Sequence, residues 1–416
     1  MIILSSYDQE IAKYLNDELN RQKNGLVMIA SENFTSPAVL QTMSSVLSNK
    51  YSEGYPNARY YTGNQHIDKI EQLAIDRAKE LFKAEHVNVQ PHSGTTANSA
   101  VYFALLQPGD KILSLNLSHG GHLSHGSPVS SVGKLYNIVH YPLNPDTHLI
   151  DMDQVRQLAI EEKPKIIITG STAYPRQFDF AAFDQICKEV GAFHLADIAH
   201  IVGLCIAGEH PDPIPYADIV TTTTHKTLRG PRSAMIMSKA ELAKQIDKAI
   251  FPGTQGGPLE HVIAAKAVCF KQAMTDRFKQ DQKQTVLNAK ALATTLMENG
   301  IKVITGGTDT HLLLIDCMAN DITGKKAANT LAECNIYTNF NTIPYDQRSP
   351  FDPSGLRIGT PALTTQGMKE PEMKLVGQAI ADIIKDPENQ ARKNQITDLV
   401  KQLTTQFPIY QEIESY

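Results

Sequence analysis

The stretch TTTTHKTLRGPR, Thr221–Arg232, places four threonines directly before His225 and Lys226. Threonine is β-branched and suits strands, so the run predicts the end of a strand. A lone lysine beyond a strand is most often a solvated turn residue. A lysine held partly desolvated at that edge can instead form a Schiff base with an aldehyde. The rest of the chain decides between these two interpretations.

Strands and helices alternate on both sides of this stretch. Strand-like runs are "HVNVQ", "KILSLN", "KIIITG", "FHLAD" and "DIVTTT", and helical patterns such as "TANSAVYFALL" and "AAFDQICKEVG" lie between them. This alternation predicts βαβ units and an α/β fold with a mostly parallel sheet. A long polar helix beginning near residue 276, followed by strand-like runs at "THLLLID" and "GLRIGT", predicts a separate α+β segment.

Composition limits the classes of protein that fit. The 416 residues are 42% apolar and 20% charged, and their net charge of −5 does not indicate a dedicated nucleic-acid surface. Five scattered cysteines without a CxxC pair are typical of buried thiols in a reducing compartment. No apolar stretch is long enough for a membrane span, and the start "MIILSSYDQE" does not resemble a signal peptide. We therefore expect a cytoplasmic protein without membrane binding.

Polar residues follow three of the predicted strands, at the edge where an open parallel sheet binds its ligands. Ser93, Gly94 and Thr95 lie where a strand turns into a helix, which suits either a phosphate-binding turn or a simple helix cap. Asp197 ends another strand, where it could pair with a protonated ring nitrogen or cap the next segment. Lys226 is the third feature.

Taken together, a phosphate-binding turn, a strand-end carboxylate and a strand-end lysine, in this order, supply what pyridoxal phosphate needs. The turn binds the phosphate, the carboxylate keeps the ring nitrogen protonated and the lysine holds the aldehyde. Arg357, between apolar residues in "SGLRIGTPA", could bind an α-carboxylate through two parallel hydrogen bonds. A structural ion pair is the more common role of an isolated arginine.

Longer motifs cover nearly the whole chain: "LVMIASENFTSP", "NKYSEGYPNARYY", "NVQPHSGTTAN", "HGGHLSHG", "TTTTHKTLRGPR", "GGPLEHVIAAKAV" and "SPFDPSGLRIGTPA". They resemble bacterial-type serine hydroxymethyltransferase, a family of fold-type I pyridoxal phosphate enzymes. The resemblance implies an N-terminal helical arm at 1–50, a large α/β domain with a mostly parallel mixed sheet at 51–275 and a smaller α+β C-terminal domain at 276–416. It also implies reversible conversion of L-serine and tetrahydrofolate to glycine and 5,10-methylenetetrahydrofolate.

The same resemblance implies roles for individual residues. The expected catalytic residues are Lys226, which would form the Schiff base, Glu53, His225, Asp197 and His122. The cofactor would also contact Ser93, Gly94, Thr95, Thr172, His200, Tyr51, Tyr61 and Gly257. The amino-acid substrate would contact Ser31, Glu53, Tyr60, Tyr61, His200 and Arg357. Tetrahydrofolate, the co-substrate, would lie near Leu117, Gly121, His122, Leu123, Asn341, Ser349, Pro350 and Phe351.

The resemblance further implies a homodimer with shared active sites. Tyr51, Glu53, Tyr61 and Gly257 would then complete the site of the partner subunit. Five positions depart from the family pattern and put efficiency and substrate range in doubt: Thr62, Asn64, Thr172, Arg229 and Phe340. Thr172 keeps a hydroxyl, whereas Phe340 could weaken contact with the anionic tail of folate.

Two other readings stay open at this stage. A folate-independent pyridoxal phosphate aldolase acting on β-hydroxy amino acids would need the same cofactor residues. A non-catalytic relative would be expected to lack Lys226, Asp197 or Arg357, and all three are present. A metal site in "HGGHLSHG" is not expected, because no carboxylate accompanies its histidines and two glycines disfavour a ligand-bearing helix.

Overall fold

Helices and strands alternate along the chain, and the computed structural model describes residues 4–413 and 415. The helices are α1 (Gln9–Lys23), α2 (Pro37–Met43), α3 (Ile67–Phe82), α4 (Gly94–Leu105), α5 (Ser131–Leu135), α6 (Met152–Glu162), α7 (Phe180–Val190), α8 (Val202–Ala207), α9 (Ala243–Lys248), α10 (Glu260–Ala273), α11 (Asp276–Glu298), α12 (Gly324–Glu333), α13 (Pro361–Gln366), α14 (Glu370–Lys385) and α15 (Gln390–Gln406). The strands are β1 (Leu26–Val27), β2 (Gly54–Tyr55), β3 (Ala58–Arg59), β4 (His86–Asn88), β5 (Lys111–Leu115), β6 (Asn137–Tyr141), β7 (Ile166–Thr169), β8 (Phe193–Asp197), β9 (Ile219–Thr223), β10 (Ala234–Ser238), β11 (Lys302–Val303), β12 (Leu312–Asp316), β13 (Ile336–Tyr337), β14 (Asn339–Asn341) and β15 (Gly355–Gly359).

Contacts divide the chain into two units. The larger unit is Asn33–Lys283, and the smaller unit combines Met1–Glu32 with Gln284–Tyr416. The domain boundaries expected from the sequence stay a prediction. The first three residues of the expected N-terminal arm, and residues 414 and 416 of the expected C-terminal domain, lie outside the described residues.

The larger unit contains a seven-stranded sheet in the order β4-β10-β9-β8-β7-β5-β6. Strands β5 to β9 pair in parallel, whereas β10 is antiparallel to both β9 and β4. Strand β4 therefore runs in the same direction as the five parallel strands. The predicted α/β fold with a mostly parallel mixed sheet is confirmed, and the carboxyl ends of six strands meet at one edge.

The threonine-rich run forms β9, as predicted, and lies between β8 and β10. Its hydroxyls are buried in the sheet and therefore need hydrogen-bond partners. Thr221 Oγ1 donates to Asn98 Oδ1 at 2.7 Å, and Thr223 Oγ1 donates to Ala199 O at 3.3 Å. The run thus combines strand geometry with polar groups aimed at the end of the sheet.

The smaller unit is built on a four-stranded antiparallel sheet in the order β11-β12-β15-β14. Leu356 and Ile358 of β15 belong to a core that also contains side chains of α12, α14 and α15. Because side chains alternate along a strand, Arg357 faces away from that core. The predicted strands in "THLLLID" and "GLRIGT" are confirmed as β12 and β15.

Among residues 4–413 and 415, every helix is too short or too polar to cross a lipid bilayer.

Candidate active site

Asp197, the last residue of β8, is the centre of a buried hydrogen-bond network in the larger unit. Its Oδ2 accepts from Asn98 Nδ2 at 2.8 Å and lies 2.9 Å from His125 Nε2, while its Oδ1 accepts from Ala199 N at 3.0 Å. The Asp197 side chain is 10% exposed, and that of His125 is 1% exposed. Burial alone would raise the pKa of Asp197. The hydrogen bond and charge of His125, with help from His122 and Asn98, instead hold this pKa well below its ordinary value.

Asn98 of α4 fixes the network from the helix side. Its amide group donates to Asp197 Oδ2 and, at 2.9 Å, to Ser124 Oγ, while its Oδ1 accepts from Thr221 Oγ1. Its side chain is fully buried. Asn98 therefore holds α4, β8, β9 and the loop after β5 in one arrangement. Asn98 was not among the predicted site residues, although it ends the motif "SGTTAN".

His122 and His125 lie together in the loop after β5, with ring centroids 5.5 Å apart. His122 Nδ1 lies 2.7 Å from Ser124 Oγ, so this predicted catalytic histidine is tied to the same network. His125 was considered in the sequence only as a weak metal ligand. Residues 4–413 and 415 contain no cluster of three or more His, Cys, Asp or Glu side chains suited to a metal.

Lys226 follows β9 and is partly buried. Its Nζ donates to Thr223 Oγ1 at 3.0 Å, and its backbone oxygen accepts from Asn33 Nδ2 at 3.2 Å. The backbone after it is held by Thr227, whose Oγ1 donates to His200 O at 3.0 Å. The ammonium thus already uses a threonine hydroxyl as its acceptor, and the predicted cofactor residue His200 is tied to the same loop.

His225 is half-buried between charged neighbours. Burial and the positive charges of Lys226 and Arg232 lower its pKa to about 3. Its Nδ1 is buried and has no hydrogen-bond partner. At neutral pH His225 is therefore a neutral imidazole with an available polar atom.

The predicted phosphate-binding turn and the predicted helix cap are the same structure. Ser93 is the N-cap of α4 in a capping box, with Thr96 N donating to Ser93 Oγ at 3.3 Å and Ser93 N donating to Thr96 Oγ1 at 2.9 Å. Ser93 and Thr95 are exposed. A Cβ on Gly94 would lie 2.8 Å from Thr223 Cγ2, so only glycine fits beside β9 at this position. The turn is formed and open to a ligand.

The remaining predicted residues of this edge follow β5 and β7. Thr172 N donates to Gly120 O at 2.7 Å, which joins the two loops. A Cβ on Gly121 would lie 2.4 Å from Leu115 O, so this glycine packs directly on the strand end. Leu117 begins a short 3-10 turn, and the Leu123 side chain is 64% exposed.

A separate exposed cluster combines two segments that the sequence assigned to a partner's site. The rings of Tyr51 and Tyr61 lie 5.1 Å apart, and Tyr61 hydrogen-bonds to Glu53. Gly257 faces the ring of Tyr51, where an added Cβ would lie 3.2 Å away. The Tyr60 side chain is 77% exposed, with its ring 5.7 Å from that of Phe251. We call Tyr51, Glu53, Tyr60, Tyr61 and Gly257 the tyrosine cluster.

The smaller unit holds a second group of predicted residues. Arg357 is 6% exposed; its Nε donates to Asn339 Oδ1 at 2.9 Å and its Nη2 to Ser31 Oγ at 3.5 Å. Burial lowers the pKa of Arg357 to about 10, so the guanidinium stays charged at neutral pH. Asn341 lies on the adjacent strand β14, paired with Gly355.

The predicted folate turn, Ser349–Phe351, also belongs to the smaller unit. Phe351 N donates to Ser349 Oγ at 3.3 Å, and Pro350 lies between them. The Phe351 side chain is 83% exposed, and that of Phe340 is 38% exposed. These are apolar surfaces on which a flat ring could pack.

The larger unit fits pyridoxal phosphate. Gly94 leaves a turn that a Cβ would fill, Asp197 is a buried carboxylate kept ionised, and Lys226 follows the strand between them with a partly buried amine. These groups match the phosphate, the ring nitrogen and the aldehyde. The arrangement is suited to an aldehyde cofactor.

Comparison with known proteins agrees with this geometry. The family model described as serine hydroxymethyltransferase matches residues 4–380. A serine hydroxymethyltransferase of Rippkaea orientalis (strain PCC 8801 / RF-1) is 55% identical over 409 residues, covering 98% of this chain and 96% of the relative.

We expect His225 to stay neutral down to about pH 3. An unfolded histidine titrates near ~6.5, so the unfolded chain binds the proton first as the pH falls. The contribution of His225 to folding stability is therefore present above that pH and is lost between about 6.5 and 3. Histidine NMR titration, assigned with His225→Gln, measures the pKa directly. A His225 resonance that titrates near ~6.5 would contradict the expectation.

Proposed function

The chain belongs to the serine hydroxymethyltransferase family, and from this premise we propose which of its residues carry out the reaction. The enzyme depends on pyridoxal phosphate and reversibly converts L-serine and tetrahydrofolate to glycine and 5,10-methylenetetrahydrofolate. It is thus a transferase of one-carbon metabolism. The observation that carries our residue assignment is the buried, ionised Asp197 at the strand edge shared with Lys226.

Lys226, Asp197 and the turn at Ser93–Thr95 would hold the cofactor. When bound, pyridoxal phosphate supplies an electron sink for the pair released as the Cα–Cβ bond of serine breaks. Asp197 keeps a proton on the ring nitrogen, and His125 and Asn98 keep Asp197 ionised. Thr223 Oγ1, already an acceptor for Lys226 Nζ, orients the amine.

His122, His200, Thr172 and His225 would complete the surroundings of the cofactor. A neutral His225 can accept or donate a hydrogen bond without adding charge beside the Lys226 amine. His122 is positioned by Ser124, which also accepts from Asn98. This sharing supports a single rigid site, because each side chain fixes the next.

Arg357 would bind the α-carboxylate of serine or glycine, together with Ser31. A guanidinium offers two parallel donors to a carboxylate, and burial strengthens this charge-assisted contact. Asn339 and Ser31 hold the Arg357 side chain in place through hydrogen bonds to Nε and Nη2. The assignment is supported by the nearly complete burial of a permanent cation.

We assign the tyrosine cluster to the partner's site in a homodimer. Its aromatic rings are exposed in the single chain, which suits an interface. Glu53 would take and return the proton of the serine hydroxyl. Desolvation and the nearby Glu53 carboxylate raise the pKa of Tyr61, so its hydroxyl stays protonated and can donate to Glu53.

Tetrahydrofolate would contact Leu117, Gly121, His122, Leu123, Asn341 and Ser349–Phe351. The exposed Leu123 and Phe351 offer apolar contact area. Phe340 adds no cation for the anionic tail of folate. We further propose a cytoplasmic location, which the five free cysteines support.

Folate dependence separates this function from the aldolase alternative. We expect the purified yellow protein to form glycine from L-serine rapidly only with tetrahydrofolate. Lys226→Ala should abolish this activity and the yellow colour, because no other amine follows β9 at this position. Equal serine cleavage without folate, or activity confined to threonine-like substrates, would favour the aldolase.

Arg357→Lys tests the carboxylate-binding role. The ammonium keeps the charge but loses the two-donor geometry, so the KM for serine should rise roughly tenfold to a hundredfold. Steady-state kinetics measures KM and kcat separately. Arg392→Lys, which changes an exposed arginine paired with Asp382 on α14, is the matched control and should leave KM unchanged. An unchanged KM in Arg357→Lys would rule out the role.

Shared active sites can be tested by co-expressing Lys226→Ala and Glu53→Gln subunits. Each variant alone should be inactive or strongly impaired. A mixed dimer would contain one site with both native residues, so random pairing should restore about one quarter of the native sites. No recovery in isolated mixed dimers would place Lys226 and Glu53 of the same subunit in one site.

A further inference from the structure

Lys266, on α10, is a buried lysine that the reaction does not use. It is 1% exposed, and its Nζ donates to Val89 O at 2.5 Å, to Ala234 O at 2.7 Å and to Pro91 O at 3.4 Å. Three backbone carbonyls thus surround one ammonium. Two of them lie in the segment between the end of β4 and the turn at Ser93.

This segment is held mainly by side chains. Gln255 donates to Gln90 O at 2.9 Å and accepts from His92 N at 3.0 Å, and Ser233 Oγ donates to Pro91 O at 2.9 Å. Strand β4 is at the edge of the sheet, so its extension lacks a second neighbouring strand. Lys266, Gln255 and Ser233 therefore determine where residues 89–92 lie.

Acidic side chains face Lys266 and offset the cost of burying it. Glu71 from α3 and Glu260 from α10 favour its charged form, whereas burial lowers the pKa of Lys266 to about 7. Glu71 also accepts from Gln90 Nε2 at 2.7 Å and from Arg59 at 2.6 Å. Nearby His92 responds to the same charge, since burial and Lys266 lower its pKa. Burying an ammonium is costly, and the three carbonyls and the two carboxylates offset that cost.

The Lys266 ammonium determines the orientation of the peptide groups that it contacts. A peptide unit is planar, with its C=O and N–H pointing in opposite directions. Carbonyls of residues 89 and 91 that point at Lys266 therefore turn the following N–H groups away from it. The segment then continues directly into Ser93, the N-cap of α4.

We propose that Lys266 is a positioning residue for the phosphate of the cofactor, acting through the backbone of residues 89–92. Its ammonium binds the carbonyl side of this segment and so fixes the turn at Ser93–Thr95 that receives the phosphate. The inference rests on the proposed assignment of the phosphate to that turn. Loss of Lys266 should weaken the binding only of ligands that carry a phosphate. It should leave the positions of Lys226 and Asp197 unchanged.

The test compares cofactor with and without its phosphate. We expect Lys266→Met, which keeps the length of the side chain, to weaken binding of pyridoxal phosphate to the stripped enzyme about tenfold or more. Binding of pyridoxal, which lacks the phosphate, should stay within about twofold of the native value. Absorbance titration measures both. Lys271→Met, on an exposed part of the same helix, should change neither. Equal weakening for both ligands, or none, would overturn the proposal.

Three further variants keep the test decisive. If thermal melting shows that Lys266→Met is unfolded, Ser233→Ala removes the other side-chain donor to Pro91 O. Ser233→Ala should weaken the binding of pyridoxal phosphate but not that of pyridoxal. An equal effect on the two ligands, or no effect on either, would contradict the proposal. Thr95→Val tests the underlying assignment. If Thr95→Val weakens the binding of pyridoxal phosphate while Lys266→Met does not, only the role of Lys266 fails. If neither Thr95→Val nor Ser93→Gly changes the affinity for pyridoxal phosphate, the turn is not the phosphate site.

Discussion

The hydrogen bonds from Asn98 and His125 to the Asp197 carboxylate are the constraint on which the rest of the larger unit depends. A buried carboxylate is unstable unless its charge is balanced, so these donors must stay close to it. Asn98 also binds Ser124 and Thr221. One charge therefore fixes the distances between a helix, two strands and a loop. The loop that carries His122 is positioned by the same hydrogen bonds.

The two units use buried charge in different ways. In the larger unit, Asp197 is a buried anion surrounded by donors, and Lys266 is a buried cation surrounded by carbonyls. In the smaller unit, Arg357 is a buried cation oriented by neutral oxygen atoms of Asn339 and Ser31. In the proposed reaction, this cation would bind the carboxylate of the substrate.

Much of the fold followed from local patterns. The alternation of short apolar runs and amphipathic segments predicted β4, β5, β7, β8 and β9. Lys226 and Asp197 were selected because one follows a predicted strand and the other ends one. Strand β10 and the reversal it introduces were not predicted, because "AMIMS" gives no information about direction. Asn98 and His125 were missed as partners of Asp197, since they lie 99 and 72 residues away along the chain. Only the pairing of strands brings such residues together.

The capping box at Ser93 has a consequence for how the enzyme acquires its cofactor. The first turn of α4 is closed by its own side chains, Ser93 and Thr96. A cofactor bound at this turn, as proposed, would dock onto a preorganised surface and would not carry the entropy cost of ordering a helix end.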